Sequence, residues 1–65
     1  SPDKTITATR AAEDYVRLAV FYDWYDQEAL ARKCLHKAAN LDRNVRKAAE
    51  ALLPSLTRDV WSQTQ

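Results

Sequence analysis

Glycine is absent from the 65-residue chain, and proline occurs only twice. Tight hairpins, β-bulges and phosphate-binding loops normally depend on glycine, so its absence argues against a β-rich fold and against nucleotide-binding loops. Methionine is also absent, which indicates a trimmed product or a fragment excised from a longer parent. The fold class that remains is a small all-α domain.

Residue types that support catalysis or metal binding are scarce. Cys34 is the single cysteine, so neither an internal disulfide nor a cysteine-based metal site can form. His36 is the single histidine, and no strained turn presents a nucleophile to it. We therefore expect a non-enzymatic protein with no cofactor, no metal and no small-molecule substrate. A lone thiol is typical of a reducing compartment, which predicts an intracellular, cytoplasmic location.

Long hydrophobic runs are also missing, because the longest apolar run covers only residues 18–22. A membrane span needs about 18 apolar residues, so no membrane partner is expected.

Charge is nearly balanced at +1 but unevenly distributed. Residues 1–28 hold six acidic and three basic residues, whereas residues 29–50 hold six basic and two acidic ones. The six basic residues form a candidate basic surface: Arg32, Lys33, Lys37, Arg43, Arg46 and Lys47. Such a group is either a solvated helix face or a contact for phosphate or an acidic partner.

Apolar residues recur at helical spacing and predict one domain over residues 1–65. The predicted helices cover residues 6–25, 27–40, 43–53 and, as a short fourth segment, 55–62, with residues 1–5 as an end piece. Asp26 and Asp42 are placed to cap the second and third helices. Pro54 is expected to kink or break the third. Short links predict an antiparallel bundle of three to four helices.

Each predicted helix has an apolar inner face. On the first helix this face is Ala8, Ala11, Ala12, Tyr15, Leu18, Ala19 and Tyr22, with Val16, Val20 and Trp24 as a second stripe. On the second it is Leu30, Ala31, Cys34, Leu35, Ala38 and Leu41. On the third it is Val45, Ala48, Ala49, Leu52 and Leu56. Cys34 therefore has a structural role in this interpretation. Phe21, Trp24 and Tyr25 form either a core cluster or an exposed anchor.

One ordered set of residues points to a family. In chain order it reads Tyr15, Leu18, Ala19, Tyr22, Ala31, Ala38, Leu41 and Asp42. This set resembles the tetratricopeptide repeat, a helix–turn–helix unit of about 34 residues. The resemblance covers half of the chain and departs from the family at Asp26, Leu35 and Arg43, where glycine, an aromatic residue and proline are usual. It implies a TPR-like helical hairpin with a C-terminal capping helix.

The resemblance also implies a binding role. In that family the groove is lined by the first-helix face that does not pack on the second helix. The positions that match are Glu13, Val16, Arg17, Val20 and Trp24. The apolar strip among them suits an amphipathic helix or a second copy of the chain. We therefore predict a protein–protein interaction module that acts as an adaptor, a scaffold piece or a self-associating subunit.

A second resemblance leads to a different class of function. Residues 28–33 and 42–48 resemble the two DNA-contacting helices of bacterial winged-helix repressors. By analogy, Arg43, Asn44, Arg46 and Lys47 would contact DNA. The long gap between the segments, the missing wing strands and the small net charge weigh against it. Helix-turn-helix DNA binding through the basic start of the third helix is kept as the alternative.

Overall fold

The computed structural model describes residues 2–63, apart from the side chains of Pro2, Asp3 and Thr5. The helices are α1 Pro2–Trp24, α2 Glu28–Leu41, α3 Val45–Leu52 and α4 Pro54–Gln63. No strand occurs within residues 2–63, so the expected all-α helix bundle is confirmed. The Thr9 hydroxyl, near the start of α1, donates to the carboxylate of Asp42, just after α2, at 2.8 Å. The first two helices therefore run antiparallel.

All four helices differ from their predicted bounds, α2 and α4 by a single residue at each end. α1 begins at Pro2, although residues 1–5 were expected to be an end piece. Proline favours the first turn of a helix because its fixed φ suits that position and its missing N–H has no partner there. α3 is shorter than the predicted residues 43–53, because Arg43 and Asn44 form a turn and Leu53 leaves the helical conformation. Ser1 lies outside the described residues.

Pro54 separates α3 from α4, so the structure has a helix break at this residue, one of the two expected outcomes, and not a kink. A proline disfavours the helical conformation in the residue before it. Leu53 lies outside that conformation, with φ −134° and ψ 66°. This break turns the side chain of Leu53 into the core and leaves Leu52 58% exposed. The prediction that Leu52 lies on the inner face is therefore wrong.

The turn between α1 and α2 is closed by Asp26 in the left-handed region, with φ 60°. The Gln27 N–H donates to the Tyr22 carbonyl at 2.8 Å, and the Asp26 N–H donates to the Asp23 carbonyl at 3.1 Å. These bonds form a Schellman motif, in which glycine usually takes the left-handed position. Asp26 thus ends α1. It does not cap α2, which Gln27 precedes without a side-chain bond.

The core lies between α1 and α2 and continues under α3 and α4. At the contact of the first two helices, Ala12, Ala19, Ala31 and Ala38 are all 0% exposed. Small side chains let two helix backbones approach closely. Leu35 of α2 and Val60 of α4 are the largest fully buried apolar residues there. The remaining core residues are Val16, Cys34, Val45, Ala49, Leu53 and Leu56.

Polar contacts fix the outer helices to the hairpin. Arg32 of α2 forms ion pairs with Glu28 of its own helix, at 3.3 Å, and with Asp59 of α4. Asp42 accepts the Asn44 N–H at 2.9 Å, next to its bond from Thr9. Buried Thr57 donates its hydroxyl to the Leu53 carbonyl at 2.7 Å, so α4 buries no unsatisfied hydroxyl there.

Leu35→Ala is expected to lower the free energy of unfolding by about 2–5 kcal/mol, because it leaves a cavity at a fully buried site. Leu52→Ala is the matched control at an exposed leucine, and it should cost less than about 1 kcal/mol. Urea denaturation followed by circular dichroism measures both. Equal losses at the two leucines would contradict the packing of α2.

Asp42 makes a pH prediction, because the Asn44 N–H first, and then the Thr9 hydroxyl, hold the pKa of Asp42 below its ordinary value of 3.8. A carboxylate with a depressed pKa in the fold stabilises it at neutral pH, and this contribution is lost as pH falls through the folded-state pKa, below about 4. Asp42→Asn should lower the urea midpoint at neutral pH and flatten its decline on acidification.

Glu13→Gln is the control for Asp42→Asn, since Glu13 is exposed in the middle of α1 and no hydrogen bond or ion pair to a described residue is found for its side chain. The control should keep the wild-type decline of the urea midpoint with pH. If Asp42→Asn and the wild type decline in parallel, the carboxylate does not hold α1 to the α2–α3 turn.

Candidate functional site

Groups with catalytic or metal-binding chemistry are few and dispersed in the described part of the chain. No cluster of three or more His, Cys, Asp or Glu residues is placed there to bind a metal ion. Cys34 lies in the core, where burial raises the pKa of its thiol, against a smaller lowering effect of the Lys37 charge. His36 is partly buried on α2. None of the helices described is long and apolar enough to cross a bilayer.

The five predicted partner-binding residues do not share one exposed face. Glu13 and Arg17 are exposed, and Arg17 forms an ion pair with Asp14 at 2.9 Å. Val20 is partly buried against the core. Val16 is only 4% exposed, so the prediction that it lines an open groove is wrong. Its helical spacing from Ala12 and Ala19 places it on the same buried face as those residues.

The structure instead exposes large apolar side chains at the C-terminal end of α1. Leu18 is 43% exposed, Phe21 56%, Trp24 81% and Tyr25 59%. We call these four residues the aromatic end. The rings of Phe21 and Tyr25 lie 4.7 Å apart between centroids, and the Phe21 ring meets the edge of Tyr22 at 6.2 Å. Phe21 therefore packs against the rings of both Tyr25 and Tyr22.

Sequence reasoning placed only part of the aromatic end correctly. The residue pattern leaves Trp24 in either a core cluster or an exposed anchor, and the resemblance places it on a binding face; its side chain is exposed. Leu18 was assigned to the inner face, whereas Phe21 and Tyr25 were left between core and anchor. Near its C-terminal end α1 is apolar on most sides, which predicts either that the helix is enclosed there or that one of its faces serves a partner. The structure does not enclose it.

Half of the predicted basic surface makes contacts within the molecule. Arg32 is held by Glu28 and Asp59, and its pKa is raised further above the ordinary value by the Glu28 hydrogen bond first. The Arg46 guanidinium lies 4.8 Å from the Trp61 ring centroid. The Lys37 ammonium lies 5.6 Å from that of Tyr15. The remaining basic residues of the set are exposed: Lys33, Arg43 and Lys47.

An open cleft of about 700 Å³ lies between the α1–α2 turn and α4. Its walls carry charges of both signs, including Asp23, Arg58 and the ion pairs of Arg32. The Arg32–Asp59 pair joins α2 to α4, so Arg32 and its two partners have a structural role, whereas Asp23 and Arg58 form no ion pair with a described residue. Among the surfaces of the described residues, the aromatic end is therefore the one where large exposed apolar side chains are concentrated.

No protein-family model, no curated protein and no solved structure matches the chain. Its function therefore has to be argued from the surface that it presents.

The thiol of Cys34 is expected to react with an aromatic disulfide reagent at least about tenfold more slowly in the folded chain than in urea, because it is buried and its pKa is raised. The control is a variant with Cys34→Ala and Ser55→Cys, which moves the thiol to an exposed position. Equal rates for Cys34 in the folded and unfolded chain would contradict its place in the core.

Proposed function

We propose that the chain is a non-enzymatic protein–protein interaction module that binds its partner through the aromatic end. The observation that carries this proposal is the 81% exposure of Trp24 beside the exposed rings of Phe21 and Tyr25. Tryptophan and tyrosine dominate interface energetics, because they offer large contact areas at a small cost in conformational entropy. A contiguous exposed apolar patch on a small domain is commonly a binding site.

The TPR-like interpretation belongs to this proposal. Ala19, Ala31 and Ala38 occupy the small-residue positions of the repeat pattern, and their full burial at the helix contact supports the interpretation. Leu18 and Leu41 match the pattern as well, yet they are 43% and 41% exposed. Exposed leucines of this kind are expected of a repeat that normally stacks on neighbouring units. We therefore favour a role as an adaptor or scaffold piece.

The binding surface that we propose differs from the one inferred by resemblance. Trp24 remains at its centre, with Phe21, Tyr25 and Leu18 in place of the valine strip. Glu13 and Arg17 lie further back along α1, where exposed charges suit the rim of an interface. A cytoplasmic location also remains part of the proposal, supported by the single, buried free thiol.

The test is a peptide-display library selected against the immobilised chain. Binders should lose at least about tenfold in affinity on Trp24→Ala, because a central aromatic anchor is removed. Leu52→Ala is the matched control, since Leu52 is also an exposed apolar residue but lies on α3. Circular dichroism checks that both variants keep the helicity of the wild type.

Binders that ignore Trp24→Ala and Phe21→Ala would contradict the proposed surface. Duplex DNA binding that is lost on Arg43→Ala with Lys47→Ala, and kept on Trp24→Ala, would support the helix-turn-helix alternative instead. Arg43 and Lys47 suit this control, because both are exposed and neither stacks on a ring as Arg46 does.

A further inference from the structure

We propose that the occupant of the aromatic end is an amphipathic helical segment of another protein, with arginine or lysine bordering its apolar face. This inference rests on the proposed function and adds the chemistry of the partner. It follows from the charges at the α1–α2 turn, from the polarity of the α1 terminus and from the rings themselves.

The turn beside the aromatic end is acidic. Residues 23–28 contain Asp23, Asp26 and Glu28, all exposed, and no basic residue. Along the chain, the nearest arginine before the turn is paired with Asp14, and the nearest one after it is paired with Glu28 and Asp59. Arg58 of α4 lines the same cleft as Asp23 but forms no ion pair with it. Neither Asp23 nor Asp26 forms an ion pair with any residue that the structure describes. The turn thus presents two carboxylates that a partner can neutralise.

The end of α1 adds to this negative potential. The C-terminus of a helix carries a partial negative charge of about half an elementary charge, which cations stabilise. α1 has no basic residue in its last turn, and Asp23 lies there instead. The charge distribution is therefore unfavourable in the free chain, and an incoming cation would relieve it.

Two other aromatic rings of the chain contact basic side chains of the same molecule. Tyr15 and Trp61 each receive a basic side chain, with Lys37 and Arg46 at 5.6 and 4.8 Å from the ring centroids. Within the described residues, no cation lies over the ring of Trp24, the most exposed of the large apolar side chains. Tryptophan is the best aromatic acceptor for a guanidinium or ammonium group. Trp24 is thus suited to stack against a basic side chain of a partner.

The apolar part sets the shape of the partner. Leu18, Phe21 and Tyr25 follow one another at spacings of three and four residues, which places them along one side of α1. At a rise of 1.5 Å per residue, this strip is about 10 Å long. A strip of that length matches about two turns of a helix that lays its apolar residues against it.

Charge also separates this partner from other occupants. A symmetric dimer through the aromatic end would add a second acidic turn to the interface and no cation to neutralise either one, and uncompensated like charges at an interface oppose binding. The acidic turn likewise repels phosphates of nucleic acids and anionic lipid surfaces. A basic segment of another protein is the occupant that the surface favours.

Three labelled synthetic helical peptides test the inference. They share one apolar face and differ only in its borders, which carry arginine and lysine, glutamine, or glutamate. Fluorescence anisotropy at low salt should give binding of the basic peptide at least about tenfold tighter than that of the acidic peptide. Trp24→Ala should weaken the basic peptide about tenfold.

Replacing the free carboxylates tests the charge argument directly. Asp23→Asn with Asp26→Asn should weaken the basic peptide roughly three- to tenfold and remove its advantage over the glutamine peptide. Asparagine is the substitution of choice, because it tolerates the left-handed backbone of Asp26. Glu50→Gln is the control for a general effect of lost negative charge, since it removes an exposed carboxylate on α3 and should leave the affinity unchanged.

The outcomes separate this inference from the proposed function. Equal binding of the three peptides, or tighter binding of the acidic one, overturns the inference and leaves the proposed function standing if Trp24→Ala still weakens binding. Failure of all three peptides, with Trp24-dependent binders of other kinds in the display library, has the same meaning. Trp24-dependent self-association in sedimentation equilibrium would make a second copy the occupant and would overturn the inference. If Trp24→Ala affects neither the peptides nor the library binders, the proposed function itself fails.

Discussion

The close contact of α1 and α2 through alanine side chains determines most of this structure. Ala12, Ala19, Ala31 and Ala38 are fully buried, and they let the two helices approach with little space between them. Leu35 and Val60 complete the core around this contact. Rings as large as Phe21 and Trp24 do not fit into such a narrow interface, so α1 carries them on its outer side. The alanine contact between α1 and α2 thus accounts both for the small side chains in the core and for the exposure of the aromatic end.

The turn that follows α1 joins structure to the proposed function. A Schellman motif usually ends on glycine, and in this glycine-free chain Asp26 takes the left-handed position. The same residue places a carboxylate next to the exposed rings. Asp23, in the last turn of α1, opposes the helix dipole and adds to the negative potential. Features that are unfavourable for the isolated chain therefore coincide with the surface proposed to meet a basic partner.

Helical periodicity predicted three to four helices, and Pro54 predicted a kink or a break. The described residues form four helices, with a break between α3 and α4. The sequence placed Leu18 on the inner face of α1 and, through the resemblance, Val16 in an open groove, and the structure reverses both. Positions two residues apart lie about 200° apart around a helix, so Val16 and Leu18 are on nearly opposite sides of α1, and the packing of the other helices selected Val16 for the core. For Trp24 the residue pattern left a core cluster and an exposed anchor open, and only the resemblance placed it on a binding face. The contact of Arg46 with Trp61 depends on how α4 folds back on α3, which no local pattern specifies.

The most direct test is the solvent exposure of the two tryptophans in the monomeric chain, each measured alone. In Trp61→Phe, the remaining Trp24 should emit like free tryptophan, and acrylamide should quench it nearly as well as in urea. In Trp24→Phe, the partly buried Trp61 should emit at shorter wavelength and be quenched less. A shielded Trp24 in the dilute monomer would mean that the chain covers its own aromatic end, and the account given for this surface would be contradicted.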